Sequence, residues 1–313
     1  MNPVVSPISG RCRVTKERTI QTRHLIEQYD RQVQVDVSRH FADTPEIAVF
    51  RCDDTGYRFY HPAIEGDSGF YASLQHFPWY YQPWKWEHRV ANSYIARSER
   101  VLEIGCGPGA FLERLKRRGI LCDGLELNDD AIRRARTRGV RVASTAVSDH
   151  VSAHQESYDV VCAFQVLEHV ARPREFLEAS IAMLKPGGKL IVGVPNNASY
   201  IRHIEWDILN MPPHHQGLWD AASLRSITSI LPLRLVRLHI ETLQLPYQVP
   251  KYLAAQRQRL DRRQDVIGRC LAKLASRIPD GIAGRGLSLV RRLIESETIV
   301  AVFSKHTGRG SRS

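Results

Sequence analysis

The sequence has no C-x-x-C pair: its six cysteines stand apart at 12, 52, 106, 122, 162 and 270. That scatter argues against a disulfide framework and against an intact zinc site, and it fits a reducing compartment. The opening MNPVVSPISG has neither a basic nor an apolar region, so no secretory signal is read. No stretch approaches the roughly 18 continuous apolar residues of a spanning helix. Internal repeats and low-complexity runs are absent as well. A cytoplasmic globular protein is the expectation.

What is present suffices for a sizeable core, with 43% hydrophobic residues in 313. The net charge of +11 is uneven. Residues 251–313 hold 14 Lys/Arg against 5 Asp/Glu, leaving the rest of the chain close to neutral. Such a segment attracts nucleic acid or an anionic membrane surface, or is simply a solvated helix face.

Residues 1–45 read as polar, patternless and partly mobile. Ile47–Phe50 and Tyr57–Tyr60 flank the turn Asp53-Asp54-Thr55-Gly56, which predicts a hairpin. An aromatic stretch from Phe70 to Tyr94 follows, helical over about 84–97. From residue 100 strands and helices alternate, the pattern of a parallel sheet covered on both faces. Strands are expected near 100–104, 121–127, 140–145, 158–164 and 188–194, with helices near 109–118, 129–138 and 173–184. A helix capped by Asp220 or Ser223 over 221–230, a strand at 233–242 and a last strand at 298–303 complete the order. Insertions fall at 196–220 and 246–296. In the second, Leu253, Leu260, Ile267 and Leu274 repeat every seven residues, with Leu271 and Ile278 beside them. They mark an amphipathic helix whose other face carries Arg257, Arg262, Arg263 and Arg269.

Chemistry concentrates where Val101-Leu102-Glu103-Ile104 runs into Gly105-Cys106-Gly107-Pro108-Gly109. Glycines at a strand-to-helix turn let a cofactor approach the backbone, and the helix start favours an electron-rich group. Glu126, 21 residues after Gly105, can accept both hydroxyls of a ribose. The same residues satisfy the dinucleotide fingerprint G-x-G-x-x-G/A, so this turn alone leaves a nicotinamide cofactor open. Three details weigh against it. Glu103 adds a negative charge that a pyrophosphate site does not want; Cys162–Val170 and Leu184–Leu190 follow in order; and no hydride-transfer domain is evident.

E-x-G-C-G-x-G, G-L-E-L-N, F-Q-V-L-E-H-V and L-K-P-G-G together resemble the ordered motifs of class I methyltransferases that use S-adenosylmethionine (SAM). The resemblance is greatest to the methyltransferase domain 23 and ubiquinone-biosynthesis O-methyltransferase groups, over about 84–245. It implies an α/β, Rossmann-like seven-stranded sheet of order 3-2-1-4-5-7-6 with the seventh strand antiparallel. It also implies that Glu103, Gly105 and Gly107 face the methionine part of SAM and that Glu126 binds its ribose, with Cys106, Gly109 and Leu127 in the same cofactor site. Ala146, with its neighbours Thr145 and Val147, and Gln165 would border the adenine and the methyl-donor end. Many relatives carry an acidic residue near 145–148; here Thr145-Ala146-Val147-Ser148 leaves the adenine contact unassigned.

Methyl transfer from a sulfonium is an in-line displacement that needs positioning, water exclusion and a base for a protonated acceptor. In Asn210-Met211-Pro212-Pro213-His214-His215, prolines hold adjacent histidines over the end of the sheet. His214, His215 and His169 are the catalytic candidates, with packing inside a lid the competing role. A similar His-rich segment in small-RNA 2′-O-methyltransferases joins an E-x-x-E-H element to hold magnesium. Here Gln165-Val166-Leu167-Glu168-His169 replaces one carboxylate by an amide, which weakens the ligand set and leaves a metal open but disfavoured. Glu168 and His169 also occur in metal-free relatives, as helix packing and loop bracing. The N-P-P-Y motif of amide and base N-methylation is absent after the fourth strand. The aromatics at 70–86 either roof the acceptor pocket, with a cation–π surface for the sulfonium, or plug the sheet edge. Cys12 and Cys52 each keep one cysteine of a zinc-ribbon pair found on some related enzymes, and two thiolates rarely hold structural zinc. No zinc is expected there.

The expected organisation is an N-terminal extension with hairpin and aromatic lid (1–83), a SAM-binding core (84–245), a basic helical insertion (246–297), the last core strand (298–305) and a disordered tail (306–313). The expected function is SAM-dependent methylation of a small-molecule or glycan-precursor acceptor at oxygen. An RNA methyltransferase using the basic segment, and a non-catalytic SAM-binding scaffold, are the alternatives. Peripheral membrane contact and oligomeric state stay open.

Overall fold

The computed structural model describes residues 3–75, 77, 80–244, 248–262 and 290–307. Among them the strands form two sheets. The larger has seven strands: β4 (Arg100–Ile104), β5 (Leu121–Leu125), β6 (Arg141–Ala143), β7 (Tyr158–Phe164), β8 (Leu184–Pro195), β10 (Leu233–Thr242) and β11 (Glu295–Lys305). Their order is β10-β11-β8-β7-β4-β5-β6. β11 runs antiparallel to both neighbours, whereas β8, β7, β4, β5 and β6 are parallel. This is the expected order, 3-2-1-4-5-7-6.

Both faces of the sheet are buried, and alternate residues of one strand serve opposite cores. Leu102, Ile104, Val161, Ala163 and Val192 pack on one side. Val101, Val160, Cys162 and Ile191 pack on the other, against Phe111, Leu112 and Leu115 of helix α4 (Ala110–Arg117). Two more helices, α5 (Asp129–Thr137) and α7 (Pro173–Ala182), complete the covering layers. Asn128 caps α5 by accepting from the Ala131 amide, and Gly119 and Gly139 take positive φ just past α4 and α5.

The N-terminal segment departs from the sequence expectation. Residues 1–45 read as patternless, yet they contain strand β1 (Val14–Gln21) and helix α1 (Thr22–Val33). β1 buries Ile20 alone and α1 buries only Thr22, Leu25 and Tyr29, so neither carries a strong apolar period. β1 pairs with β2 (Glu46–Cys52), which forms the predicted hairpin with β3 (Arg58–His61). The fourth strand of this sheet, β9, is Gly217–Leu218, directly after the paired histidines. A piece of the insertion at 196–220 therefore completes the N-terminal sheet. The helix expected over 84–97 is shorter, Trp86–Asn92, and β8 begins at Leu184, ahead of the K-P-G-G turn predicted to precede it. Of the basic insertion, α9 (Val249–Asp261) is described, whereas Ile267, Leu271, Leu274 and Ile278 of the predicted stripe, with Arg263 and Arg269, lie outside the described residues. So do Trp79 and residues 308–313.

Tyr29 ties helix α1 to the loop that carries the histidines. Fully buried, it directs its hydroxyl to the carbonyls of Ile208 (2.7 Å) and Met211 (3.0 Å), at the start of the histidine loop. Tyr29→Phe keeps the packing and removes this tie. It is expected to destabilise the protein by about 1–2 kcal/mol, read as a lower urea midpoint at unchanged slope.

Candidate active site

A cavity of about 1220 Å³ opens at the carboxyl ends of the parallel strands, running from the glycine turn to the histidines. This is where open α/β sheets hold ligands. At its floor, Gly105 and Gly107 take φ of 69° and 50°. A Cβ on Gly105 would sit 2.4 Å from Val166 Cγ2, and one on Gly107 would sit 2.9 Å from the Tyr81 ring. Only glycine fits either position. Gly109 (φ 74°) precedes α4, where a Cβ would press on Ala135 at 3.0 Å; its conformation serves the packing of α4 on α5. Cys106 lines the cavity but turns its thiol toward the Gly107 carbonyl, and burial raises its pKa.

Two carboxylates flank this turn. Glu103 is 3% exposed, its Oε2 has no hydrogen-bond partner, and burial pushes its pKa well up. Glu126 is held by three amides: Gly107 N–H donates to Oε2 (2.8 Å), and Leu127 and Asn128 N–H donate to Oε1 (2.8 and 2.9 Å). Leu127 projects into solvent, 69% exposed, while its backbone serves Glu126. Thr145, Ala146, Val147 and Gln165 line the same cavity. Gln165 directly follows β7 with φ of 54°, a left-handed conformation that costs a non-glycine residue of order 1–3 kcal/mol and clusters at functional loops. Its amide is anchored on the Gly193 carbonyl at 2.8 Å.

At the far end the three candidate histidines come together. Ring centroids lie 4.5 Å apart for His169–His214, 4.7 Å for His169–His215 and 4.6 Å for His214–His215. Although adjacent in sequence, His214 and His215 do not diverge: their rings stack at 15°. Each Nδ1 faces a fixed acceptor: the His214 carbonyl for His169 (2.7 Å), the Leu209 carbonyl for His214 (2.7 Å) and Asn210 Oδ1 for His215 (3.0 Å). The Asn210 amide in turn donates to Asn197 Oδ1, which fixes its own orientation. Nδ1–H must then donate, leaving Nε2 with a lone pair on each ring. Desolvation lowers all three pKa values, to about 4 for His169 and well below the ordinary range for His214 and His215. Glu168 is wholly buried behind them, with Oε1 4.0 Å from Nε2 of both His169 and His215 and no hydrogen bond on either oxygen. Burial raises its pKa to about 8.

Of the further lining residues, Lys85 and His88 were not singled out from the sequence, whereas the tyrosines fall in the 70–86 stretch read as a roof of the pocket or a plug of the sheet edge. Lys85 and His88, at the start of the helix Trp86–Asn92, face the glycine end, and Tyr71, Tyr80 and Tyr81 line the wall between the two halves. Tyr71 reaches His169 Nδ1 at 3.4 Å, and the Arg134 guanidinium lies 5.9 Å from the Tyr81 ring. The aromatic stretch thus divides: Phe70 is buried under Tyr29 in the N-terminal core, Trp84 packs on Phe111, and the tyrosines border the cavity. The density of aromatics was the visible signal; which of them face inward depends on the N-terminal sheet.

The strand order, the glycine turn after β4 and the acidic residue after β5 define the class I methyltransferase fold. Residues 80–231 match the family model described as a methyltransferase domain, in agreement with a class I methyltransferase whose cofactor is SAM. The ubiquinone biosynthesis O-methyltransferase of Klebsiella pneumoniae is 32% identical over 104 residues, 31% of this chain and 43% of that protein. The enzyme of the same name from Sodalis glossinidius is 30% identical over 160 residues, 49% and 60% of the two chains. The chain thus spans only part of the length of these relatives. A solved structure pairing the Haloferax volcanii Trm112 methyltransferase activator with a chain described as a methyltransferase shares the fold, with a TM-score of 0.51 and 16% identity over 72% of this chain and 91% of that one.

Gly105→Ala adds a clash and a strained φ together, and is expected to destabilise by about 1–3 kcal/mol. Because the obstacle is one methyl of Val166, the double variant Gly105→Ala/Val166→Ala should recover part of the lost melting temperature in calorimetry.

Proposed function

We propose that the protein methylates a hydroxyl of a small-molecule or glycan-precursor acceptor, with SAM as donor. The observation that carries this is one continuous cavity with a cofactor-sized cradle at one end and three unprotonated imidazoles at the other. The names of the similar O-methyltransferases support oxygen as the acceptor atom.

The cradle fits the cofactor on its own terms. The orphaned Glu103 Oε2 would accept from the amino group, and Gly105 and Gly107 leave room for the methionine chain. Glu126 uses three of its acceptor sites on backbone amides, which hold it in place and leave capacity on Oε2 for a ribose hydroxyl. SAM supplies an electrophilic methyl group on a sulfonium. Ala146 and Gln165 would border the adenine and the donor end, and Tyr71, Tyr80 and Tyr81 would exclude water and face the positive sulfur with their rings. At the other end, the Nε2 lone pairs of His169, His214 and His215 are the groups able to receive the acceptor's proton. Among the described residues no helix is long and apolar enough to cross a membrane.

Calorimetric titration of SAM, followed by a labelled-methyl screen of small-molecule fractions, tests this directly. Binding of one SAM per chain is expected, weakened at least about 10-fold by Glu126→Ala, the equivalent of 1.4 kcal/mol. His214→Ala should leave SAM affinity in place and lower the methyl-transfer rate by about 100-fold or more. Saturable NADH binding without SAM binding would overturn the assignment.

A further inference from the structure

The acceptor end contains more than a base requires. A single imidazole suffices to take one proton, yet three converge, and the carboxylate beneath them is left with no partner on either oxygen. Leaving a carboxyl group and the His214 Nε2 buried and unbonded costs several kcal/mol unless something meets them. One nitrogen from each ring lies within 4.8 Å of the other two. With Nδ1 committed on every ring, the atoms free to hold an ion are the Nε2 lone pairs.

We infer that His169, His214, His215 and Glu168 form a binding site for one divalent transition metal. The donor set selects the metal. Three neutral imidazoles and one carboxylate suit zinc, iron, cobalt or nickel, whereas magnesium and calcium prefer oxygen ligands and water. The Nδ1 bonds to the His214 and Leu209 carbonyls and to Asn210 Oδ1 are the outer-shell partners that metal-bound histidines require, since they set the tautomer and aim the ring. Metal–nitrogen bonds of about 2.0–2.1 Å need the Nε2 atoms to close in by roughly 1 Å, within the reach of side-chain rotation. The four ligands also border the cavity, so an open coordination position would face the acceptor. There the ion would lower the pKa of an acceptor hydroxyl as a Lewis acid, so that its proton leaves to solvent water before methyl transfer, and the histidines would hold the ion instead of taking the proton. That catalytic role rests on the methyl-transfer assignment; the binding of the ion does not.

The test uses the untagged full chain, stripped with a chelator and titrated with Zn²⁺, Co²⁺ and Mg²⁺. One Co²⁺ per chain, with the visible absorption of a nitrogen-ligated site and displacement by Zn²⁺, is expected. His169→Ala, His214→Ala and Glu168→Gln should each weaken binding by more than the roughly 10- to 100-fold that outer-shell changes cost. Asn210→Ala should fall within that smaller range. Glu126→Ala, at the other end of the cavity, should bind Co²⁺ as the parent does. SAM titration of every variant separates loss of metal from loss of fold. A parent protein that binds SAM but no Co²⁺ or Zn²⁺, or that binds Mg²⁺ in preference, overturns the metal inference and leaves methyl transfer standing. Cobalt binding that survives the triple histidine-to-alanine variant overturns it as well. Stoichiometric cobalt without SAM binding would instead sink the methyl-transfer assignment and keep the metal.

Discussion

Three imidazoles can pack ring against ring only if none of them carries a charge, and the acceptor end depends on that condition. Protonating one would place a cation against two neighbours in a site from which water is excluded, a cost set by both desolvation and repulsion. The neutral state is enforced from outside the cluster. Each ring spends its single N–H on an acceptor that cannot move: two backbone carbonyls and an asparagine oxygen held by a second asparagine. The loop supplying these acceptors must therefore be rigid, although it sits in an insertion between two core strands.

Rigidity comes from the N-terminal sheet. Gly217–Leu218 pairs with β3, so the chain just past the histidines is held as a strand. Gln216 donates from its side chain to the Ile64 carbonyl and accepts from the Ile64 amide, while its own backbone amide bonds to the Glu168 carbonyl. Tyr29 holds the other end of the loop from beneath. From the far side, Lys251 of α9 pairs with Asp207 (3.3 Å) and Glu297 (2.8 Å), linking the basic insertion to the same loop and to β11. Segments that share no obvious chemistry in the sequence thus meet at a single purpose, which is to hold residues 207–216 still.

This division explains what could be read from residues alone. The cofactor half is local: strand, glycine turn and helix are contiguous, and Glu126 follows at the end of the next strand, so spacing reveals both the fold and the cradle. The central strands were legible from their apolar runs, whereas the seven-strand order followed from the resemblance to class I methyltransferases and not from any pattern in the residues. The acceptor half is built from contacts more than a hundred residues apart, such as Tyr29 with Ile208 and Tyr60 with Asn210. No periodicity announces these. α1 shows three buried residues in twelve, and β9 is two residues long, so propensity and pattern are both silent. The histidines were recognisable as candidates, but their convergence was not, because it is a property of the strand that follows them. Glu168 was the residue most easily misjudged. Beside His169 it reads as loop bracing, and only its burial without any partner marks it as waiting for a ligand.

The two halves also answer to different physical constraints. At the glycine turn the backbone lies against the cavity, and a side chain of any kind at Gly105 or Gly107 collides with Val166 or Tyr81. Chemistry there is tied to main-chain geometry and changes only with the fold. At the histidine end the contacts are made by side chains presented on an insertion, and the fold would survive their replacement by packing residues. Glu168 sits at the boundary between the two regimes. Its backbone belongs to the turn after β7, next to the strained Gln165 that faces the cofactor cradle, while its carboxylate belongs to the histidines. One short stretch of chain, 165–169, therefore borders both ends of the cavity.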